Sequence, residues 1–131
     1  MTRSSISVVV VDDEIELANL FKQYLQKVGF DTIAFTDPRM ALEHLRNNSL
    51  GFSLIMTDLR MPLMSGIDLA TEIRKVNKKI KIILITAFMT EDLVDDESFK
   101  NAKIDSIVQK PVRFIELKET INWLLNQPIK I

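Results

Sequence analysis

Apolar residues fall along this chain in two alternating patterns: short, unbroken β-branched runs, and longer stretches in which they recur every three or four positions. The run Ile6 to Val11 shows no polar alternation. That predicts a strand buried on both faces, as in a parallel sheet covered by helices, and the uninterrupted valines read as the sheet's central strand. Leu17, Leu20, Phe21, Tyr24, Leu25 and Val28 then form one helical stripe, and Gly29 stands where a helix C-terminal glycine belongs. Phe30 to Phe35 predicts a second strand. Asp37 followed by Pro38 reads as an N-cap acid with proline in the first helical position, opening a helix through Ala41, Leu42 and Leu45. Phe52 to Thr57 is a third strand; after a loop with Pro62 and Gly66, the residues Ile67, Leu69, Ala70 and Ile73 give a third helical stripe. Ile80 to Ile85 is the fourth strand. A fourth helix, its periodicity diluted by acids, falls within Thr90 to Lys100, and Ile104 to Val108 is the fifth strand. Ile115, Leu117, Ile121, Leu124 and Leu125 mark the last helix, with Trp123 at its end.

Five alternations of strand and helix with short connections predict the α/β class, a parallel sheet with helices on both faces, because parallel strands need crossovers. With 131 residues, 47% of them hydrophobic, the expectation is one domain over residues 1–131 with its core at about 6–127. The formal charge of −1 gives no electrostatic case for nucleic acid or anionic membrane as a partner. There is no cysteine, which excludes disulfides and cysteine-ligated metals. The N-terminus carries no export pattern, and the run Ile82 to Ile85 is far short of the roughly 20 residues that a membrane-spanning helix requires. A soluble, cytoplasmic protein is expected.

In such a sheet the ligand crevice lies at the carboxyl ends of the strands. Asp12, Asp13 and Glu14 follow the first strand, Asp58 the third, Thr86 the fourth, and Lys110-Pro111 the fifth. Taken singly, each has an ordinary explanation. Asp12 and Asp13 cap a helix as readily as they hold a ligand, Asp58 is a turn residue, Thr86 a cap, and Lys110 a surface charge. Together they crowd three carboxylates into one crevice, where each raises the others' pKa unless a cation sits among them. An all-oxygen set without cysteine or a nearby histidine favours a hard cation, and Mg²⁺ binds through one or two carboxylates while keeping waters and phosphate oxygens. Neither G-x-G-x-x-G nor G-x-x-x-x-G-K-[ST] occurs, so a nucleotide fold has no phosphate cradle here.

Four motifs, Val11-Asp12-Asp13-Glu14, the segment from Asp58 to Gly66 (DLRMPLMSG), Thr86-Ala87 and Lys110-Pro111, closely resemble those of the receiver domains of two-component response regulators. The similarity runs from Ser7 to about Leu125. The resemblance implies a doubly wound, flavodoxin-like sheet of order 2-1-3-4-5 and a phosphorylation-dependent switch. Asp58 would accept a phosphoryl group from a phosphohistidine of a sensor kinase or phosphotransfer protein. Asp13 and Asp58 would ligate Mg²⁺ by carboxylate and Arg60 by its backbone carbonyl, with Asp12 holding the metal through water. Thr86 and Lys110 would bind the transferred group, and Lys110-Pro111 would be a cis peptide. Such a domain promotes only its own phosphorylation and dephosphorylation, and is otherwise no enzyme.

Phosphoryl transfer asks for positioning and charge stabilisation, which a metal and a lysine supply. Two charge-assisted hydrogen bonds, from Thr86 and Lys110, would contribute roughly 1.5–3 kcal/mol each. Together they approach the about 5.5 kcal/mol that throws a two-state element from mostly off to mostly on.

The chain also departs from the family. Ile107 stands where an aromatic is usual, Val112 where phenylalanine often follows the proline, and Asn101-Ala102 where a glycine-alanine pair is frequent. Arg60 and Phe88 occupy positions that tune phosphoryl lifetime. A phosphatase of the haloacid dehalogenase type needs a second acid at the place of Arg60. A phosphohistidine carrier would have to use His44, which reads as a solvated surface residue. The remaining alternative is a receiver-shaped interaction module that is never phosphorylated. Output is expected through the face of the fourth helix, fifth strand and fifth helix, to a protein target or a second copy, with the acidic run Glu91 to Glu97 suited to a basic partner.

Overall fold

Alternation inside the valine run sets the layers. Val8 and Val10 are buried in one apolar cluster and Val9 and Val11 in another, so a strand without polar residues serves two cores at once. The computed structural model describes residues 6–48, 51–87, 93 and 96–126. Its elements are β1 (Ser7–Val11), α1 (Ile15–Lys27), β2 (Asp31–Phe35), α2 (Pro38–Asn47), β3 (Leu54–Asp58), α3 (Gly66–Val76), β4 (Lys81–Thr86), α4 (Glu97–Ala102), β5 (Ser106–Gln109) and α5 (Phe114–Leu125). The five strands are all parallel, in the order β2-β1-β3-β4-β5. β3, not β1, is therefore the middle strand, while β1 lies between β2 and β3.

Helices α1 and α5 cover one face through Phe21, Leu25, Leu117, Ile121 and Leu124, and α2, α3 and α4 cover the other through Leu42, Leu45, Leu69, Ile73 and Ala102. The expected punctuation is in place. Gly29 has φ +105°, which an L side chain would resist, and the Asp37 side chain accepts from the Arg39 N–H at 2.9 Å with Pro38 opening α2.

Several strand ends differ from expectation by a residue or two, and three of them bear on the site and its supports. β3 and β4 each run one residue further, so Asp58 and Thr86 are their last residues; Asp58 is in register with Ile85, and Thr86 with Gln109. β5 begins at Ser106, not Ile104, because Asp105 is otherwise engaged: its carboxylate accepts the Ile82 N–H at 2.8 Å and its own N–H reaches the Ile82 carbonyl at 2.9 Å. α4 opens where Asp96 accepts the Ser98 N–H at 2.7 Å and ends at Lys103 in the left-handed region, φ 51°. The earlier part of the helix expected within Thr90 to Lys100, most of the acidic run and Phe88 lie outside the described residues. Among the described residues no helix is long and apolar enough to cross a membrane.

Candidate functional site

The strand order reverses between β1 and β3, and the crevice opens where their carboxyl ends diverge. Asp12 follows β1 directly, held by its N–H to the Phe35 carbonyl at 3.1 Å. Its Oδ1 accepts the Glu14 N–H at 2.9 Å. Asp12 thus shapes the turn into α1, while Glu14, the N-cap residue, makes no side-chain cap. Its other oxygen, Oδ2, is buried with no hydrogen-bond partner among the described residues.

A carboxylate oxygen from each of Asp12, Asp13 and Asp58 lies within 4.8 Å of the others. Asp12 is 2% exposed and Asp58 8%, whereas Asp13 faces solvent. Just past the end of β5, Lys110 extends its Nζ to 3.2 Å from Asp58 Oδ1 and 4.0 Å from Asp12 Oδ2. The Lys110 N–H donates to the Thr86 carbonyl at 2.8 Å, so the fourth and fifth strand ends are tied together, and Lys110-Pro111 is cis. Thr86 itself is buried.

Burial pushes the Asp12 carboxyl up to about 6, opposed by the Glu14 N–H and Lys110 and reinforced by Asp58 and Asp13. Burial also raises Asp58, against the hydrogen bond and attraction of Lys110. Burial works against the Lys110 ammonium, but Asp58 outweighs it and holds the group above the usual lysine value. One ammonium thus faces two buried carboxylates and a third at the rim. That shortfall of positive charge, with an orphaned buried oxygen in an all-oxygen donor set, fits a hard divalent cation.

The loop after Asp58 is built to close on it. The Leu59 N–H bonds the Ile85 carbonyl at 2.9 Å and the Gly66 N–H the Leu59 carbonyl at 2.8 Å. Gly66 opens α3 under the Ser65 cap, whose Oγ accepts the Asp68 N–H at 3.1 Å. A Cβ on Gly66 would run into the carbonyl of Asp58 and crowd Leu84 Cδ1 at 2.9 Å, so only glycine lets the helix approach this closely. Between them, Pro62 to Met64 make a tight three-residue turn: the Met64 N–H bonds the Pro62 carbonyl at 2.8 Å around Leu63 at φ 75°, leaving Leu63 71% exposed.

All the strand-end residues singled out from the pattern meet here: Asp12, Asp13, Asp58, Thr86 and Lys110, with Arg60 two residues past Asp58. His44 does not join them, and it is not a solvated surface residue. Its ring is half-buried between Phe35 and Phe52, with both ring centroids at 5.4 Å. Ile107, in register with Leu84, packs against the core under α2, α3 and α4, as an apolar residue on an edge strand should. Two contributors escaped the pattern. Gly66 looked like a loop glycine, though its place at the head of a helical stripe shortly after Asp58 was the available signal. Phe114 lies just before the apolar stripe that marks the last helix, and its ring stacks on Tyr24, with centroids 4.7 Å apart, and meets Phe21 edge-on at 5.8 Å.

A family model described as the response regulator receiver domain matches residues 8–122. The transcriptional regulatory protein ZraR of Escherichia coli is 31% identical over 125 residues, covering 95% of this chain and 27% of that protein, so the chain spans about a quarter of that relative's length. The response regulator receiver protein CpdR of Brucella abortus is 29% identical, covering 90% of this chain and 95% of that one. Among solved structures, the response regulator protein TrrA of Thermotoga maritima in complex with Mg²⁺ and BeF is 35% identical, covering 91% of this chain and 98% of that one, with a TM-score of 0.77.

Proposed function

The chain belongs to the response regulator receiver domain family, and on that premise we propose that Asp58 accepts a phosphoryl group from a phosphohistidine of a sensor kinase or phosphotransfer protein. The observation that carries this reading is the contact of Lys110 Nζ with Asp58 Oδ1 at 3.2 Å beside the buried, unpartnered Asp12 Oδ2. Asp12, Asp13 and Asp58, with the backbone carbonyl of Arg60, would hold Mg²⁺, the ion present in the related TrrA structure. When bound, the ion supplies charge neutralisation for the phosphoryl oxygens.

The chain's own groups do the rest. An Asp58 carboxylate oxygen forms the new P–O bond while the P–N bond to the donor histidine breaks, and the imidazole keeps the electron pair and takes up a proton. Lys110 offers its ammonium to the transferred oxygens at the same moment that it loses its carboxylate partner on Asp58. Thr86, at the end of β4, would bind the same group through its hydroxyl, so that phosphorylation would be read out along β4 and β5.

Incubation with Mg²⁺ and acetyl phosphate, followed by intact mass, tests the reading. One phosphoryl adduct is expected on the wild type and none on Asp58→Asn. Absence of an adduct from any donor, with no Mg²⁺ binding by calorimetry, would sink it.

A further inference from the structure

We propose that Phe114 is a positioning residue for Lys110 in the transfer to Asp58. The inference rests on the function proposed above and adds to it a residue that makes no contact with the reacting atoms.

Lys110 sits on a short connection between Gln109, the last residue of β5, and Phe114, the first of α5. One end of that connection is fixed by the Lys110 N–H on the Thr86 carbonyl, 2.8 Å. The other end has no capping side chain: Arg113, the N-cap residue of α5, makes no side-chain cap bond. What holds it is the ring of Phe114, stacked on Tyr24 at an interplanar angle of 20° and set at 87° to Phe21. Val108 and Val112, on either side of Lys110, pack into the same apolar cluster.

Phe21 and Tyr24 belong to α1, the helix that leaves directly from Asp12 and Asp13, and its N-cap Glu14 likewise makes no side-chain cap. The ring of Phe114 therefore joins α5, whose N-cap residue makes no side-chain cap bond, to α1, whose start Asp12 holds through the Glu14 N–H. One start carries the acids, the other the lysine. The 4.0 Å between the Lys110 ammonium and Asp12 depends on how those helices lie against each other, and the 3.2 Å to Asp58, on β3, on how the start of α5 holds the lysine's own connection. A shift of about 1 Å in a group that must meet a reacting atom costs up to roughly a hundredfold in rate.

Phosphoryl uptake from acetyl phosphate is to be timed by intact mass on the full chain, and Mg²⁺ affinity measured by calorimetry. The proteins are the wild type, Phe114→Leu, Phe114→Tyr, Lys110→Ala and the double variant Phe114→Leu/Lys110→Ala. Leucine keeps apolar bulk without a ring face; tyrosine keeps the ring. Phe114→Leu is expected to slow uptake roughly tenfold. Mg²⁺ affinity should stay unchanged, Phe114→Tyr should restore the rate, and the leucine change should cause no further slowing once Lys110 is gone. Interacting residues show that non-additivity, whereas a general loss of structure adds in both backgrounds. The proposal is overturned by equal slowing in both backgrounds, by a matching loss of Mg²⁺ affinity, or by a Phe114→Leu rate equal to wild type. A wild type that takes up no phosphoryl group removes the functional reading and this inference together; a normal wild type beside an unaffected Phe114→Leu removes only the inference.

Discussion

At the amino ends of β4 and β5 a single guanidinium is ringed by acceptors, whereas at the carboxyl ends two buried carboxylates share one ammonium. Arg74, in the last turn of α3 and with its side chain 10% exposed, donates through all three nitrogens. Nε reaches the Ala102 carbonyl at 3.1 Å, Nη1 the Ile80 carbonyl at 2.6 Å, and Nη2 the Lys103 carbonyl at 2.9 Å and Asp105 Oδ2 at 3.0 Å. Burial pulls the guanidinium below its usual value and Asp105 pushes back. Across the sheet, Asp12 keeps an oxygen with no donor and is pushed up to about 6. Both ends bury charge, but at the carboxyl end one buried carboxylate oxygen, Asp12 Oδ2, is left without a hydrogen bond among the described residues. The satisfied end joins α3, α4 and two strands into one piece. The unsatisfied end has capacity left for something that comes from outside.

Removing the satisfied charge should have the largest effect. Arg74→Ala strands the carbonyls of Ile80, Ala102 and Lys103 and removes the partner of the partly exposed Asp105, and each buried acceptor left unpaired costs about 1–3 kcal/mol. Urea unfolding should show that loss, and Arg74→Lys should recover little, since an ammonium lacks the planar fork. A loss within the scatter of surface substitutions would erase the contrast between the two ends.

At the other end, removing a charge should stabilise. Asp12 binds its proton more tightly folded than unfolded, so between its ordinary 3.8 and about 6 the native state holds more protons and stability falls as pH rises through that window. The full swing is about 3 kcal/mol. Asp12→Asn should therefore be more stable than wild type at pH 8 and no more stable at pH 4, with Mg²⁺ narrowing the gap at pH 8. A wild-type-to-variant difference that stays flat with pH, measured by thermal unfolding, would show that Asp12 is not strained.

The smallest effect sharpens the comparison within one edge. Asp37, after β2, is an exposed acid with every convenience: the Arg39 guanidinium first, then the Arg39 N–H, hold its carboxyl below the usual value. Its contribution is present above its unfolded pKa and fades as pH falls through the lowered one, the opposite sign to Asp12. Asp37→Ala should lower the melting temperature slightly at pH 7 and not at pH 2.5. An Asp37 effect that grows toward low pH would contradict the assignment.

What could be seen beforehand follows from what periodicity encodes. Hydrophobic spacing reports which face of an element is buried, so the alternation of strands and helices was legible, as were Asp12, Asp58, Thr86 and Lys110 at or beside strand ends. Periodicity says nothing about backbone acceptors. Arg74 reads as an ordinary last-turn cation because its partners are mostly carbonyls brought in from Ile80, Ala102 and Lys103. For the same reason Asp105 looked like part of β5 when it is the cap that delays it. His44 reads as a surface residue because the apolar stripe of α2 runs through Ala41, Leu42 and Leu45, while the rings beside it come from Phe35 of β2 and from Phe52 just before β3. Gly66 and Phe114 matter through what they touch, and touch is not a one-dimensional property.

The ladder of parallel pairings has one more consequence, for folding kinetics. Asp12 and Lys110 stand near opposite ends of the chain and meet only after β1 has paired with β3, β3 with β4, and β4 with β5. Each of those contacts closes a long loop, and such non-local topologies assemble slowly. The shortest fragment that holds both an aspartate from the first strand end and the lysine from the last runs over residues 13–110. The crevice is thus among the last features the chain acquires as it folds, and a molecule able to use it has already completed every pairing from β1 to β5.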